Sequence, residues 1–427
     1  MKRIIIALFL VLAIGCATGL LAQGECPPDT ECIRGQDEAG AYYFIAVPAN
    51  YNNRLVLWNH GYDLAPPQPL LRLMDLGYGS LLLNEGFAVA ASSYRSGGWV
   101  VADGAADTEN LRKLFVETYG QPDYTYVVGA SEGGIITAAI AELYGTDANG
   151  NLQYNGALPM CGPLAGGRRN FYGAFDLRVV YQYYCRNLPR PTEPQYELYL
   201  GLRPGDTLTQ PELYARINEC TGIDLPPGDR STTQRANLAN ILNVAKIPEG
   251  FLKTDLSYAT FAMAELVQGR TRGGSPVTNL GVMYSGSTDD AALNRDVYRH
   301  GSDPDAVEYI RGSYDTTGVV PMPTLTIHTI GDGLVIVENE RAYRELFKGD
   351  DLFQTYTLAP GHCQFTFSEF EAVFHALQEW VVDGTRPSHD RVLALCNQYR
   401  AIFGDSCNFN PTYQPNPLET RILPRDP

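Results

Sequence analysis

The chain is short of positive charge, short of histidine, and without any cysteine spacing suited to a metal. Across 427 residues, 32 lysines and arginines stand against 48 aspartates and glutamates, for a formal net charge of −16. That balance argues against nucleic acid or an anionic membrane surface as a partner and suits neutral or cationic ones. No CxxC pair occurs, and no cysteine and histidine spacing would hold zinc. Neither an internal repeat nor a low-complexity segment is visible. The length allows one large domain carrying an insertion, or two domains.

What is present begins with "MKRIIIALFLVLAIGCATGLLAQGE", a basic start, an apolar run and then small residues, the pattern of an export signal. Residues 1–22 are therefore expected to be a signal peptide removed after Ala22. A second reading, from Ala13-Ile14-Gly15-Cys16, is a lipoprotein box with a lipid anchor on Cys16. A third keeps the run as an uncleaved membrane anchor, although stable membrane insertion is not expected. Eight further cysteines, Cys26, Cys32, Cys161, Cys185, Cys220, Cys363, Cys396 and Cys407, fit an oxidising compartment, periplasmic or extracellular, and are expected as disulfides. Short separations suggest Cys26 with Cys32 and Cys396 with Cys407, while sequence alone leaves the connectivity open.

Strand-like runs fall at residues 42–47, 54–59, 87–92, 125–130, 156–161, 324–329 and 353–358. Several are apolar on both alternations, as strands covered on both faces are. Helical patterns lie between them, among them "DTENLRKLFVETYG", with Asp107 or Thr108 as the expected cap and Gly120 as the stop. Alternating strands and helices imply an α/β class with a mostly parallel sheet flanked by helices. The alternation stops between about Pro163 and Val320, a stretch too long for a structureless loop. Residues 164–320 are read as a mainly helical cap inserted into a core made of 23–163 and 321–427. An amphipathic helix, "FSEFEAVFHALQEWVVDG", and an extended tail complete the chain.

The stretch "TYVVGASEGGIITAAI" runs from strand through Gly129-Ala130-Ser131-Glu132-Gly133-Gly134 into helix. G-x-S-x-G is weak alone, and a tight βα turn without chemistry would also produce it. The strand before and helix after make it a nucleophile elbow, with small neighbours letting helix and strand close around a strained serine. Such a serine needs a base, and the base an orienting acid. Of six histidines, only His362 in "TYTLAPGHCQF" sits in a loop just past a late strand. Asp332, between two glycines after the 324–329 strand, is the expected acid, with Asp315 in "GSYDTTG" as the substitute. For the oxyanion, the N–H of Glu132 and that of Tyr62, next to Gly61 in "LVLWNHGYD", are the expected donors.

In this order, Ser131, Asp332 and His362 resemble the triad of the α/β-hydrolase superfamily, over about residues 40–163 and 321–385. The resemblance implies a serine hydrolase working through an acyl-enzyme without metal or organic cofactor. The chain also resembles, in part, secreted feruloyl esterases and tannases. These join a cysteine beside the nucleophile to one after the histidine. Here His362-Cys363 is present, while Ala130 stands where the first cysteine would be. The resemblance then implies Cys161 as the partner of Cys363, with Cys185 and Cys220 left to join within the cap.

Phe171, Tyr172, Phe175, Tyr181, Tyr183 and Tyr184 would line an aromatic pocket or form the cap's own core. Arg168 and Arg169 could meet a substrate carboxylate or be solvated. Asp147, Asn149 and Asn151 read as hairpin turns rather than a calcium loop. The leading expectation is an exported carboxylic-ester hydrolase acting on a small-molecule or polymer-linked ester. The alternative is a serine exopeptidase, prolyl aminopeptidase-like, whose cap would need an amine anchor such as Glu193 or Glu197. A non-catalytic binding protein on the same scaffold is the third class.

Overall fold

The computed structural model describes residues 26–69 and 73–425. The apolar N-terminal run and Cys16, on which the export signal and lipid anchor were expected, lie outside them. The strands are β1 (Thr30–Gln36), β2 (Tyr42–Pro48), β3 (Arg54–Asn59), β4 (Ala88–Ser92), β5 (Tyr124–Ala130), β6 (Gly156–Met160), β7 (Thr324–Thr329) and β8 (Leu352–Thr357). They form one sheet in the order β1-β2-β4-β3-β5-β6-β7-β8. β2 runs against both its neighbours, and from β4 and β3 onwards every pairing is parallel. This is the α/β-hydrolase fold. The central strands read as unbroken apolar runs because both faces are covered: β4, β6, β7 and β8 are buried at every position.

One face packs against α1 (Val101–Tyr119) and α2 (Glu132–Tyr144), through Leu55 and Leu57 of β3 against Ala105, Phe115, Ile136 and Ile140. The other face, with Val56, Tyr126 and Leu158, meets α10 (Phe367–Asp383) and α11 (His389–Phe403) through Phe370, Phe374, Leu377 and Leu395. Between β6 and β7 the chain passes through α3 (Gly167–Cys185), α4 (Gln210–Thr221), α5 (Thr232–Ala245), α6 (Leu252–Ser257), α7 (Asp290–Asp296) and α8 (Pro304–Tyr314). α6 runs on into π-helical turns as far as Arg270. α9 (Glu338–Leu346) links β7 to β8. The hydrophobic core continues from the sheet face into this helical insertion, joining Ile136 to Phe171, Phe175, Ile241 and Leu256.

Three elements differ from the sequence reading. α1 starts at Val101, and Asp107 and Thr108 lie inside it rather than capping it. Asp107 accepts hydrogen bonds from the Arg95 backbone and guanidinium, and Thr108 Oγ1 donates to Asn59 Oδ1 at 2.8 Å, so tertiary partners take up the groups that resembled a cap. β1 was missed. The tail expected as extended contains α11, opened by Ser388, whose side chain accepts from Arg391 N, and closed by Gly404 at φ +72°.

Disulfides join Cys26 to Cys32, Cys161 to Cys363, Cys185 to Cys220 and Cys396 to Cys407. The last ties α11 to the segment behind it. Cys185–Cys220 ties α3 to α4. Among the described residues no helix is long and apolar enough to cross a membrane. The Asp147–Asn151 stretch closes a short antiparallel bridge, with Asp147 accepting from the N–H groups of Asn149 and Asn151.

Candidate active site

Ser131 follows β5 directly, at φ +61°, ψ −126°, and α2 begins at the next residue. A non-glycine residue there is strained, which holds the hydroxyl at the apex of the turn. None of the three surrounding glycines takes a positive φ; each is required by close approach. A Cβ on Gly129 would stand 2.4 Å from the Gly133 carbonyl oxygen, and one on Gly133 would stand 2.1 Å from that of Asn59. A Cβ on Gly134 would meet the Met160 carbonyl at 2.6 Å. The elbow is thus pressed between the ends of β3 and β6, and Ser131 N donates to Met160 O at 3.0 Å.

His362 lies in the loop after β8. Its Nε2 is 2.8 Å from Ser131 Oγ and its Nδ1 is 2.6 Å from Asp332 Oδ2. Asp332 is buried, and its Oδ1 accepts from the N–H groups of Leu334 and Val335, both at 3.0 Å, which fixes the carboxylate's face towards the imidazole. The loop is held twice: Thr329 Oγ1 donates to Gly361 O at 2.7 Å, and the Cys161–Cys363 bridge fastens it to the end of β6. Both bridge cysteines have positive φ, +43° and +52°.

Gly61 faces Ser131, and a Cβ there would lie 3.1 Å from Ser131 Cβ. Tyr62 and Glu132 line the same cavity as Ser131 and His362, about 720 Å³ in volume. His60 stacks on Tyr94, ring centroids 4.1 Å apart, and desolvation lowers its pKa.

Other sequence candidates are brought elsewhere. Asp315 receives Arg168 Nε at 3.2 Å and Arg168 N at 3.2 Å, so the substitute acid and one candidate arginine satisfy each other. Arg169 donates to Ala165 O. Glu193 is held by Arg216 through two 2.8 Å contacts, and Glu197 faces Tyr298 and His300. Phe171, Phe175 and Tyr181 are fully buried in the insertion's core, and Tyr172 is nearly so. The aromatic rings at the cavity are instead Tyr62, Trp99, Tyr258 and Phe261. Trp99 follows Gly97-Gly98, and that glycine pair before an aromatic was the only local signal for it.

Glu132 contributes a side chain the sequence reading left unused. It is 3% exposed, and its Oε1 accepts from Val100 N at 2.7 Å. Burial pushes its carboxyl up to about 8, with the Glu265 carboxylate adding to the rise and the Val100 N–H and Arg270 opposing it. Glu265 in turn accepts from Trp99 N at 3.0 Å and pairs with Arg270, which donates to Gly97 O at 2.7 Å. Two acids, one at the elbow and one in the insertion, therefore grip adjacent amides of one loop.

No family profile matches the chain. The o-phthalyl amidase of Xanthobacter agilis is 22% identical over 428 residues, spanning 82% of this chain and 87% of that protein. Among solved structures, the Pyrococcus furiosus esterase is 14% identical with a TM-score of 0.39, over 87% of this chain and 90% of that one. The rice cell wall degrading esterase of Xanthomonas oryzae is 11% identical with a TM-score of 0.38, over 79% and 83%. The Pyrococcus horikoshii acylaminoacyl peptidase is 10% identical with a TM-score of 0.42, and this chain, matched over 88% of its length, spans 44% of that one. At these values the site's own geometry carries the chemistry.

Proposed function

We propose that the protein is an exported serine hydrolase that cleaves carboxylic esters through an acyl-enzyme. The observation that carries this reading is the hydrogen-bonded series from Ser131 Oγ through His362 to Asp332, set on a strained elbow beside an open cavity. His362 Nε2 takes the hydroxyl proton as Ser131 Oγ bonds to the ester carbonyl carbon. The carbonyl electrons move onto oxygen, where the N–H groups of Tyr62 and Glu132 receive the charge. The C–O bond to the leaving alcohol then breaks, and the alcohol takes the proton from His362. Water repeats the sequence on the acyl-enzyme, releasing the acid and restoring Ser131. Asp332 holds the imidazole with Nε2 towards the serine throughout. The helical insertion roofs the cavity as a cap, through Tyr258, Phe261 and Gln210.

Four disulfides support an oxidising destination. The likeness to an o-phthalyl amidase favours amide cleavage as the second reading. The exopeptidase alternative receives less support, because Glu193 and Glu197 are committed to other partners away from the Ser131 cavity. A fluorophosphonate probe tests the core of the proposal: labelling is expected on the native protein and absent from Ser131→Ala. Failure to label the native protein would favour the non-catalytic class. Parallel assays on p-nitrophenyl esters and the matching anilides separate ester from amide preference, with esters expected to turn over faster.

A further inference from the structure

Behind the Ser131 cavity lies a second, smaller chamber of about 70 Å³. That is room for about two water molecules at bulk density, or for one small polar head group. Asn170, Tyr258 and Leu334 line both spaces, so the partition between them is these side chains, with Asn170 Nδ2 donating to the Tyr258 hydroxyl at 2.9 Å. The chamber reaches the loop of the orienting acid, because Gly333 and Leu334 follow Asp332 directly.

Two groups on its wall are unspent. Asp255, on α6, is 7% exposed, and its Oδ1 is buried without a hydrogen-bond partner. Arg421, from the C-terminal segment, has a buried Nε without a partner, while its Nη1 reaches Glu338 at 3.4 Å. Among the described residues these two do not pair with each other. The other charges on the wall are engaged: Asp176 accepts from the Tyr284 hydroxyl and pairs with Arg425, and Lys246 Nζ donates to Thr420 O. Buried polar atoms ordinarily find partners, so an unpaired acceptor and an unpaired donor on two residues that line one small chamber mark a place for a ligand that offers both.

We propose that this chamber is a subsite of the Ser131 cleft for a primary carboxamide. The ligand's carbonyl oxygen accepts from Arg421 Nε, and its N–H donates to Asp255 Oδ1. This rests on the hydrolase reading and narrows it, to acyl or alcohol arms that end in –CONH2 and pass between Asn170, Tyr258 and Leu334. An ammonium head would leave the Arg421 donor open, and a carboxylate has no N–H to give Asp255 Oδ1. Burial and the neighbouring Asp332 hold the Asp255 carboxyl well above the usual carboxylate range, which further disfavours a cation-selective pocket.

The test separates binding from turnover. Isothermal titration of Ser131→Ala with hexanamide, 2-heptanone, hexylammonium and hexanoate is expected to rank hexanamide first, by about tenfold, since a site built for a hydrogen bond rejects the analogue lacking it. Asp255→Ala in the same background should bring hexanamide and 2-heptanone together. Should that variant not fold, Asp255→Asn is read instead, with a smaller narrowing of the same ratio. Equal binding of hexanamide and 2-heptanone, a ratio unmoved at Asp255, or tighter binding of hexylammonium or hexanoate would overturn the subsite. With the native enzyme, p-nitrophenyl 5-carbamoylpentanoate should exceed p-nitrophenyl 6-oxoheptanoate in kcat/KM by a similar factor. Turnover of both esters without preference rejects the subsite alone; turnover of neither, with hexanamide bound selectively, rejects the hydrolase reading and leaves the chamber's selectivity standing.

Discussion

Replacing Glu132 with glutamine tests the electrostatics of the elbow. In the folded chain burial lifts this carboxyl from an ordinary 4.5 to about 8, so the native state holds the proton more tightly than the unfolded state does. A pKa raised on folding stabilises fully below the unfolded value, and that contribution is lost as pH climbs to the folded one. The window is therefore pH 4.5 to about 8, each pH unit is worth about 1.4 kcal/mol, and the whole span is worth about 5 kcal/mol. Glutamine does not titrate and can still accept the Val100 N–H through Oε1. Urea unfolding of the disulfide-intact protein, followed by tryptophan fluorescence, should show native minus Glu132→Gln stability falling by about 3 kcal/mol between pH 5.5 and pH 8. A difference constant to within about 0.5 kcal/mol over that range would mean that Glu132 is already charged in the folded chain, and the reasoning would fail.

Removing the bridge with Cys161→Ala and Cys363→Ala opens a loop of sequence separation 202, worth about 5 kcal/mol in chain entropy. Because His362 adjoins Cys363, kcat on a p-nitrophenyl ester should fall more than KM rises. Gly133→Ala should yield protein that neither folds well nor labels with fluorophosphonate, since its Cβ would meet the Asn59 carbonyl, whereas Gly312→Ala in α8, with open space around it, should gain about 0.5 kcal/mol in thermal unfolding. Glu371 and Glu85 raise the His375 pKa to about 9, a stabilisation present below pH 6.5 and lost as pH rises through 9. Burial pushes the Glu371 carboxyl up and offsets part of that gain, so His375→Gln should cost about 1 to 2 kcal/mol at pH 6 and little at pH 10, read by urea unfolding.

The parts of the site legible in sequence were those whose requirement is local. An elbow needs small residues at fixed offsets from Ser131, and the loops carrying Asp332 and His362 each follow an apolar run that reads as a strand. The two-sided burial of the central strands made the parallel sheet legible in the same way. What was not legible depends on partners distant in the chain. Asp107 and Thr108 look like caps until Arg95 and Asn59 arrive beside them. The aromatics of α3 follow helical spacing whether they face a ligand or their own core, and only the packing of Ile241 and Leu256 against them decides for the core. Tyr258 and Phe261, which reach the cavity, sit in π-helical turns where the ordinary helical period does not predict the face.

The same distinction explains how the insertion is held over Ser131. Its hydrophobic core is continuous with the sheet face, but a shared core sets distance more firmly than orientation, because apolar contacts are non-directional. Direction comes from hydrogen bonds, two sets of which lie close to Ser131 or to the C-terminal segment. On one side Glu265 and Arg270 of the insertion grip the Gly97–Val100 loop that Glu132 grips from the elbow. On the other, the C-terminal segment crosses between core and insertion: Arg421 meets Glu338 of α9, while Arg425 meets Asp176 of α3. Gly98 sits at φ +91°, where a Cβ would stand 2.2 Å from the Glu265 carboxyl, so this loop tolerates no side chain at the grip. Ser131 therefore shares one rigid hydrogen-bonded frame with the residues that roof it, and a substitution at Glu265, outside the cavity's wall, should alter the roof by way of the elbow.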